Sequence, residues 1–278
     1  IFCCLRHLHE FKFFWSFSNY YLVKNYKYLS VRLIIRNIPN LFTSLNFICG
    51  CFAATLAYKN LFEAAFLMVL LGTFFDLFDG LFARLLKAES QFGLQFDSMA
   101  DLITSGIVPG VVMYKLFLEI GIREIDFTIA VFQNDFTFSF APLALVGFLI
   151  SLGAAIRLSN FNIDAEQRYE FKGLPAPANA LFIVALPLLM EHPLFAFLKP
   201  LLSTYTALLF IVILSAVLMN VRLSLFSFKI QTFSIRDYGF QMFLVILALP
   251  SFYFLQWAAV PVMIVLYLFL NVIRNSFK

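Results

Sequence analysis

The sequence predicts an all-α integral membrane protein, a polytopic helix bundle of about eight transmembrane helices. Three observations carry that expectation. Of its 278 residues 62% are hydrophobic and 13% charged, and the mean hydropathy is +0.88, well outside the range of soluble domains. Apolar stretches of membrane-crossing length recur from residue 40 to the C-terminus. The cations between those stretches cluster on alternate connections, as they do in proteins whose loops sort by positive charge.

In chain order, residues 1–36 come first as an N-terminal extension. It opens on Ile, its apolar runs are broken by charge, and it lacks a small-residue cleavage site, so it does not read as a signal peptide. Translated upstream sequence, a fragment and a surface-lying segment all remain open readings. Lys24, Lys27, Arg32 and Arg36, interleaved with Tyr and Leu, favour a basic stretch on the membrane surface. Residues 37–278 form the membrane domain. Its expected spans lie near 40–58, 61–85, 93–117, 138–158, 176–190, 201–220, 239–257 and 258–275, the last two as a tight hairpin around Trp257 to Pro261. Pro109 and Pro187 fall inside spans and should kink them, which neighbouring helices make tolerable.

With a cytoplasmic N-terminus, fourteen of the eighteen Lys and Arg from residue 24 onward fall on inside segments, and only Lys59, Lys115, Arg123 and Lys199 fall outside. That bias puts both termini on the cytoplasmic side. The net charge of +4 is small and dispersed, so nucleic acid is not an expected partner. Cys49 and Cys51 lie two apart in an apolar span and Cys3 and Cys4 in the extension, which reads as packing and not as a metal or disulfide site. His7, His9 and His192 are remote from the charged centre and need no chemical role.

The charged centre is the stretch from Asp76 to Asp101, DLFDGLFARLLKAESQFGLQFDSMAD. Charge at membrane depth is costly and marks function by default. Asp76, Asp79, Gly80, Ala83 and Arg84 share one helix face, and Gly93, Asp97 and Asp101 share another. A short polar turn, Lys87 to Gln91, joins the two helices, so they run antiparallel and four carboxylates can converge. Four carboxylates cannot all stay ionised together in a low dielectric without cations. An all-oxygen ligand set with no His or Cys favours Mg²⁺ or Mn²⁺. Two such ions roughly 3.5–4 Å apart would make the clamp used in phosphoryl displacement. Gly80 and Ala83 leave room for a ligand against the helix backbone, and Arg84 offers phosphate a fixed cation.

Asp76-x2-Asp79-Gly80-x2-Ala83-Arg84-x8-Gly93-x3-Asp97-x3-Asp101 resembles the complete signature of the CDP-alcohol phosphotransferase family. The resemblance implies metal binding by Asp76, Asp79, Asp97 and Asp101, and CDP binding by Asp76, Gly80, Ala83, Arg84 and Gly93. It also implies that Asp101 is the catalytic base. A homodimer is expected on the same ground, and the positive-charge bias puts the active site at the cytoplasmic face of a membrane expected to be a bacterial inner or plasma membrane.

A second polar constellation follows at 151–179, with Arg157, Asn160, Asn162, Lys172, Gly173 and Asn179. On residue type alone it reads as an Arg snorkelling to the interface and a Pro/Gly loop that starts a helix. Its wording, RLSNFN then FKGLPAPANA, together with NIPNLFTSLNFICG at 37–50, TSGIVPG at 104–110 and LMNVRLSLFSFK at 218–229, resembles the membrane-spanning phosphatidylserine synthase branch of the family. Ser105 stands where that branch more often has Phe. The branch implies CDP-diacylglycerol and L-serine as substrates, with Arg157 and Lys172 binding the acceptor or a phosphate. Glycerol 3-phosphate or an inositol phosphate as acceptor, or a divalent-cation transporter, are the competing readings.

Overall fold

A computed structural model of the chain describes residues 36–132, 134–163, 173–221 and 247–276. The extension up to residue 35 and Lys172 lie outside the described residues. The helix α1 (Arg36–Tyr58) turns back at Asn60, which takes the left-handed φ of 60° that Asn tolerates better than most residues. It leads into α2 (Phe62–Leu85). The α2 C-terminus closes with Lys87 in the left-handed region, at φ 50°. Ala88 N–H donates to Ala83 O and Lys87 N–H to Arg84 O, which satisfies carbonyls the helix end would leave bare.

Ser90 then caps α3 (Gln91–Asp101), its Oγ accepting from Gly93 N–H at 3.0 Å. The chain widens into a π-helical turn, Leu102–Ile107, and continues as α4 (Val108–Glu119). The three pieces make one 29-residue run apolar enough to cross a membrane, Gln91–Glu119. Pro109, expected to kink this run, sits in the first turn of α4 just past the wide turn, where its missing N–H costs least.

Residues 125–140 depart from the all-helical expectation. They form an antiparallel hairpin, β1 (Ile125–Val131) with β2 (Asn134–Phe140), Ile125 facing Phe140 and Val131 facing Asn134. The physical reason is the strict alternation in DFTI and DFTFSF, where aromatic and β-branched residues recur every second position and suit a pleated strand. The fourth crossing therefore begins later than 138, as a 3₁₀ turn (Ala144–Phe148) leading into α5 (Leu149–Ile163).

After α6 (Ala176–Glu191) the chain bends by 97°. Helix α6 runs through Pro187 to Glu191, and the turn falls at His192 and Pro193, whose imidazole Nδ1 accepts from Leu194 N–H at 3.3 Å. A 3₁₀ turn (Pro193–Leu198) and the one-turn α7 (Lys199–Leu202) follow, then α8 (Tyr205–Asn220). Residues 247–255 form α9. The 3₁₀ turn Gln256–Ala258 joins it to α10 (Ala259–Ser276). Gln256 takes φ 49° there, yet the two pieces make one run of membrane-crossing length, Leu247–Asn271, and not the expected hairpin around Trp257 to Pro261. Residues 239–246 of the seventh expected span lie outside the described residues.

Among the described residues, five helical runs are long and apolar enough to cross a membrane, or six if α6 and the bent piece count as one. Helix α8 is apolar but shorter. The protein is a polytopic helical membrane protein. Its helices pack through small side chains: Ala53, Ala57, Ala65, Ala144, Ala154, Ala176 and Ala180 are all fully buried. Small residues let helix backbones approach where lipid offers no hydrophobic drive.

Candidate active site

The connection at 86–90 is short, so α2 and α3 lie antiparallel and turn their acidic faces toward each other. Asp76 and Asp79 come from α2, Asp97 and Asp101 from α3. Carboxylate oxygens of Asp76, Asp97 and Asp101 all lie within 4.8 Å of one another. Asp79 stands outside that compact trio. It borders Asp97 but is buried, and its Oδ2 accepts from Thr43 Oγ1 at 2.7 Å. The expected convergence of four acids is thus a trio with a fourth at its flank.

The donor set suits a hard divalent cation. It is all carboxylate oxygen, partly buried, and among the described residues no His or Cys joins it. Asp97 Oδ1 is buried and has no hydrogen-bond partner among the described residues. A buried anionic oxygen left without a donor is costly, and a bound cation would satisfy it.

A layer of neutral polar side chains fixes the acids from behind. Asn46, fully buried in α1, donates from Nδ2 to Asp101 Oδ1 at 3.1 Å. Its own Oδ1 accepts from Thr104 Oγ1 at 2.8 Å, in the π-helical turn. Single π turns inside helices recur at functional sites, and this one brings Thr104 to Asn46 three residues after Asp101. Close approach needs missing side chains here. A Cβ on Gly50 would come 2.5 Å from Thr104 Oγ1, and one on Gly72 2.9 Å from Asn46 Oδ1. Sequence reasoning quoted the stretches that hold Thr43, Asn46 and Thr104 without singling these residues out. The available signal was their spacing with Gly50: offsets 0, 3 and 7 put Thr43, Asn46 and Gly50 on one face of an otherwise apolar helix.

The remaining predicted residues fall around this centre. A Cβ on Gly80 would meet nothing within 4 Å, so open space adjoins the helix there. Ala83 is half-buried and Arg84 exposed, its Nε donating to Gly80 O at 3.1 Å. A Cβ on Gly93 would lie 3.1 Å from Ser90 Oγ and 3.4 Å from Asn40 Oδ1. Arg157 reaches in from α5, close enough for its charge to act on Asp101, and its Nε is buried without a partner among the described residues. Asn162, one turn on, donates to Ser98 Oγ at 2.9 Å and ties α5 to α3. His192 lies at the far end of α6, away from the acids.

Comparison with known proteins gives the same centre a lineage. A family model described as CDP-alcohol phosphatidyltransferase matches residues 36–218. The chain is 35% identical over 150 residues to the CDP-diacylglycerol–serine O-phosphatidyltransferase of Bacillus subtilis, covering 54% of this chain and 74% of that protein. It is 29% identical over 242 residues to the Helicobacter pylori enzyme of the same name, covering 86% and 91%. The archaetidylserine synthase of Methanothermobacter thermautotrophicus is 30% identical over 148 residues, covering 52% of this chain and 55% of its own length. The matched stretch holds all four aspartates, the Thr43–Asn46–Thr104 support and Arg157, and the chain belongs to the CDP-alcohol phosphatidyltransferase family.

Proposed function

We propose that the protein transfers the phosphatidyl group of CDP-diacylglycerol to L-serine, releasing phosphatidylserine and CMP. The observation that carries the reading is the Asp76–Asp97–Asp101 trio, in a chain whose relatives are named as serine phosphatidyltransferases. The serine hydroxyl oxygen forms the new bond to the lipid-bearing phosphorus. The bond from that phosphorus to CMP breaks, CMP leaves as the phosphate anion, and the serine proton passes to Asp101.

An alcohol is a poor nucleophile near neutral pH, so a base within hydrogen-bond reach is needed. Asp101 fits because Asn46 occupies only one of its oxygens. Two divalent ions, Mg²⁺ or Mn²⁺, held by Asp76, Asp79, Asp97 and Asp101, would neutralise the pyrophosphate and the departing CMP. The protein's own part is positioning and electrostatics. The open space beside Gly80 takes the nucleotide, bordered by Asp76, Ala83, Arg84 and Gly93. Arg157 offers its planar fork to the serine carboxylate, with Lys172 the second candidate.

The positive-charge bias of the connections sets the acids at the cytoplasmic face, where soluble serine is found. A homodimer is expected. Acceptors such as glycerol 3-phosphate or an inositol phosphate carry a dianion and would call for extra cations, for which Arg157, Arg168 and Lys172 are the candidates; among the described residues Arg157 is the one of these beside the trio. A cation transporter would need ionisable groups continuing across the bilayer, whereas the acids lie together at the α2–α3 end of the bundle. Purified protein in vesicles with CDP-diacylglycerol should release CMP with labelled serine. Release only with glycerol 3-phosphate or inositol phosphate would reassign the acceptor, and ion flux without CMP release would replace the enzyme reading.

A further inference from the structure

At the end of the bundle away from the aspartates, two elements leave apolar faces uncovered. The hairpin is two-faced, because side chains alternate along a strand. Ile125 with Phe140, Phe127 with Phe138 and Ile129 with Phe136 share one face. Phe127 stacks on Phe140 at 5.0 Å between ring centres and on Phe138 at 6.1 Å. The other face is polar and internally satisfied: Ser139 Oγ donates to Asp126 at 2.6 Å, and Thr128 and Thr137 hydroxyls meet at 3.0 Å. The apolar face is about half exposed along its length, and Phe132 at the tip is 100% exposed. A lone two-stranded ribbon is marginal in water, and an apolar face this contiguous marks an interaction surface.

The second element is the bent helix, Pro193–Leu202. A 97° bend from α6 lays it across the bundle axis, in the plane a membrane surface would take. Leu194, Phe197 and Leu201, at offsets 0, 3 and 7, are each more than 60% exposed and form one face. The segments that flank the two elements meet. A groove of about 340 Å³ is lined by Ile120, Gly121, Ile122 and Leu143 from the hairpin's roots and by Ser203 and Tyr205 just past the bent helix.

We propose that the hairpin and the bent helix form a collar seated in the lipid interface on the side opposite the aspartates, with phospholipid as the partner of their apolar faces. Continuity with the membrane-crossing helices favours lipid over a soluble partner. Crossing helix α4 ends at Glu119, and β1 begins at Ile125. Strand β2 ends at Phe140, and the next residue, Ala141, is already buried and donates its N–H to Tyr114 Oη at 3.4 Å. A ribbon rooted that close to the crossing helices begins at the lipid boundary. Aromatic side chains concentrate at that boundary, and an amphipathic element with water on its polar side lies in it. The inference rests on membrane insertion alone and is independent of the reaction proposed above.

The test places one new Trp at a time in the full chain: Phe138→Trp on the apolar face, Thr128→Trp on the polar face and Phe197→Trp on the bent helix. Each is read in phosphatidylcholine vesicles as the difference from the parent, which carries two Trp. The expected result for Phe138→Trp and Phe197→Trp is blue-shifted emission, quenched more by lipid brominated near the headgroup than near the chain end, and spared by iodide on both sides. Thr128→Trp should be quenched by iodide. Iodide access at position 138 overturns the proposal. So does protection at 138 from both iodide and bromolipid, which would mean that a second copy or another protein covers the face. Because Thr128 lies on the same two strands, a hairpin that fails to form would make positions 128 and 138 equally accessible, and that outcome also counts against it.

Discussion

Asn46 and Asp101, 55 residues apart, meet through a 3.1 Å hydrogen bond in which the amide of α1 donates to the carboxylate at the end of α3. Because Thr104 donates to the other end of the same amide at 2.8 Å, the amide's orientation is set and one oxygen of Asp101 is committed. The other oxygen is left to face a substrate or an ion.

Removing that donor should lower turnover more than affinity. Hydrogen bonds to charged groups contribute about 1.5–3 kcal/mol, so Asn46→Ala and Asn46→Leu should lose roughly tenfold to a hundredfold in kcat. The KM values for serine and CDP-diacylglycerol should change little. Thr104→Val should give a smaller loss of the same kind. Steady-state kinetics on the three variants check this, and a change confined to KM would place Asn46 on a substrate instead.

Activity should vanish in excess chelator and return with Mg²⁺ or Mn²⁺, since the trio and Asp79 repel one another without a cation. Asp97→Asn should be partly restored by excess Mn²⁺, because an amide oxygen still coordinates. Asp101→Asn should stay inactive at any metal concentration while still binding CDP-diacylglycerol. Metal rescue of Asp101→Asn would show that another group takes the proton.

Gly80 and Gly72 should separate ligand space from packing space. A Cβ at Gly80 meets nothing within 4 Å, so Gly80→Ala should keep the parent's Tm and raise the KM for CDP-diacylglycerol by about tenfold or more, on the order of 1.4 kcal/mol. A Cβ at Gly72 would press on Asn46 Oδ1 at 2.9 Å and Thr104 Cγ2 at 3.0 Å. Gly72→Ala should therefore lower Tm, at a cost of about 1–3 kcal/mol from overpacking. Unchanged kinetics in a well-folded Gly80→Ala protein would remove the nucleotide from that face.

Arg157→Lys and Arg157→Ala should raise the KM for serine by at least about tenfold, the loss of one or two charge-assisted hydrogen bonds. The KM for CDP-diacylglycerol should move far less. The opposite pattern would assign Arg157, whose Nε lacks a partner among the described residues, to the lipid phosphate.

What the sequence by itself determined is local. The spacing of Asp76, Asp79, Asp97 and Asp101 on two helix faces follows from the helical repeat, and the short turn at 86–90 forces the faces together whatever surrounds them. Apolar composition likewise determined a membrane bundle. Which acids close into a trio was not legible, because Asp79 is drawn aside by Thr43, a partner 36 residues away on another helix. The Asn46–Thr104 pair depends on a π-helical turn and on two glycines that let three segments approach, and helical periodicity holds no record of such contacts. The hairpin at 125–140 was hidden differently. Its every-second-residue pattern was present, but residues 125–137 read as a connection between spans and 138–140 as the start of the next one. Only the tertiary structure decided where strand gives way to span: Phe140 pairs with Ile125, Ala141 packs into the core, and the next crossing starts at Ala144.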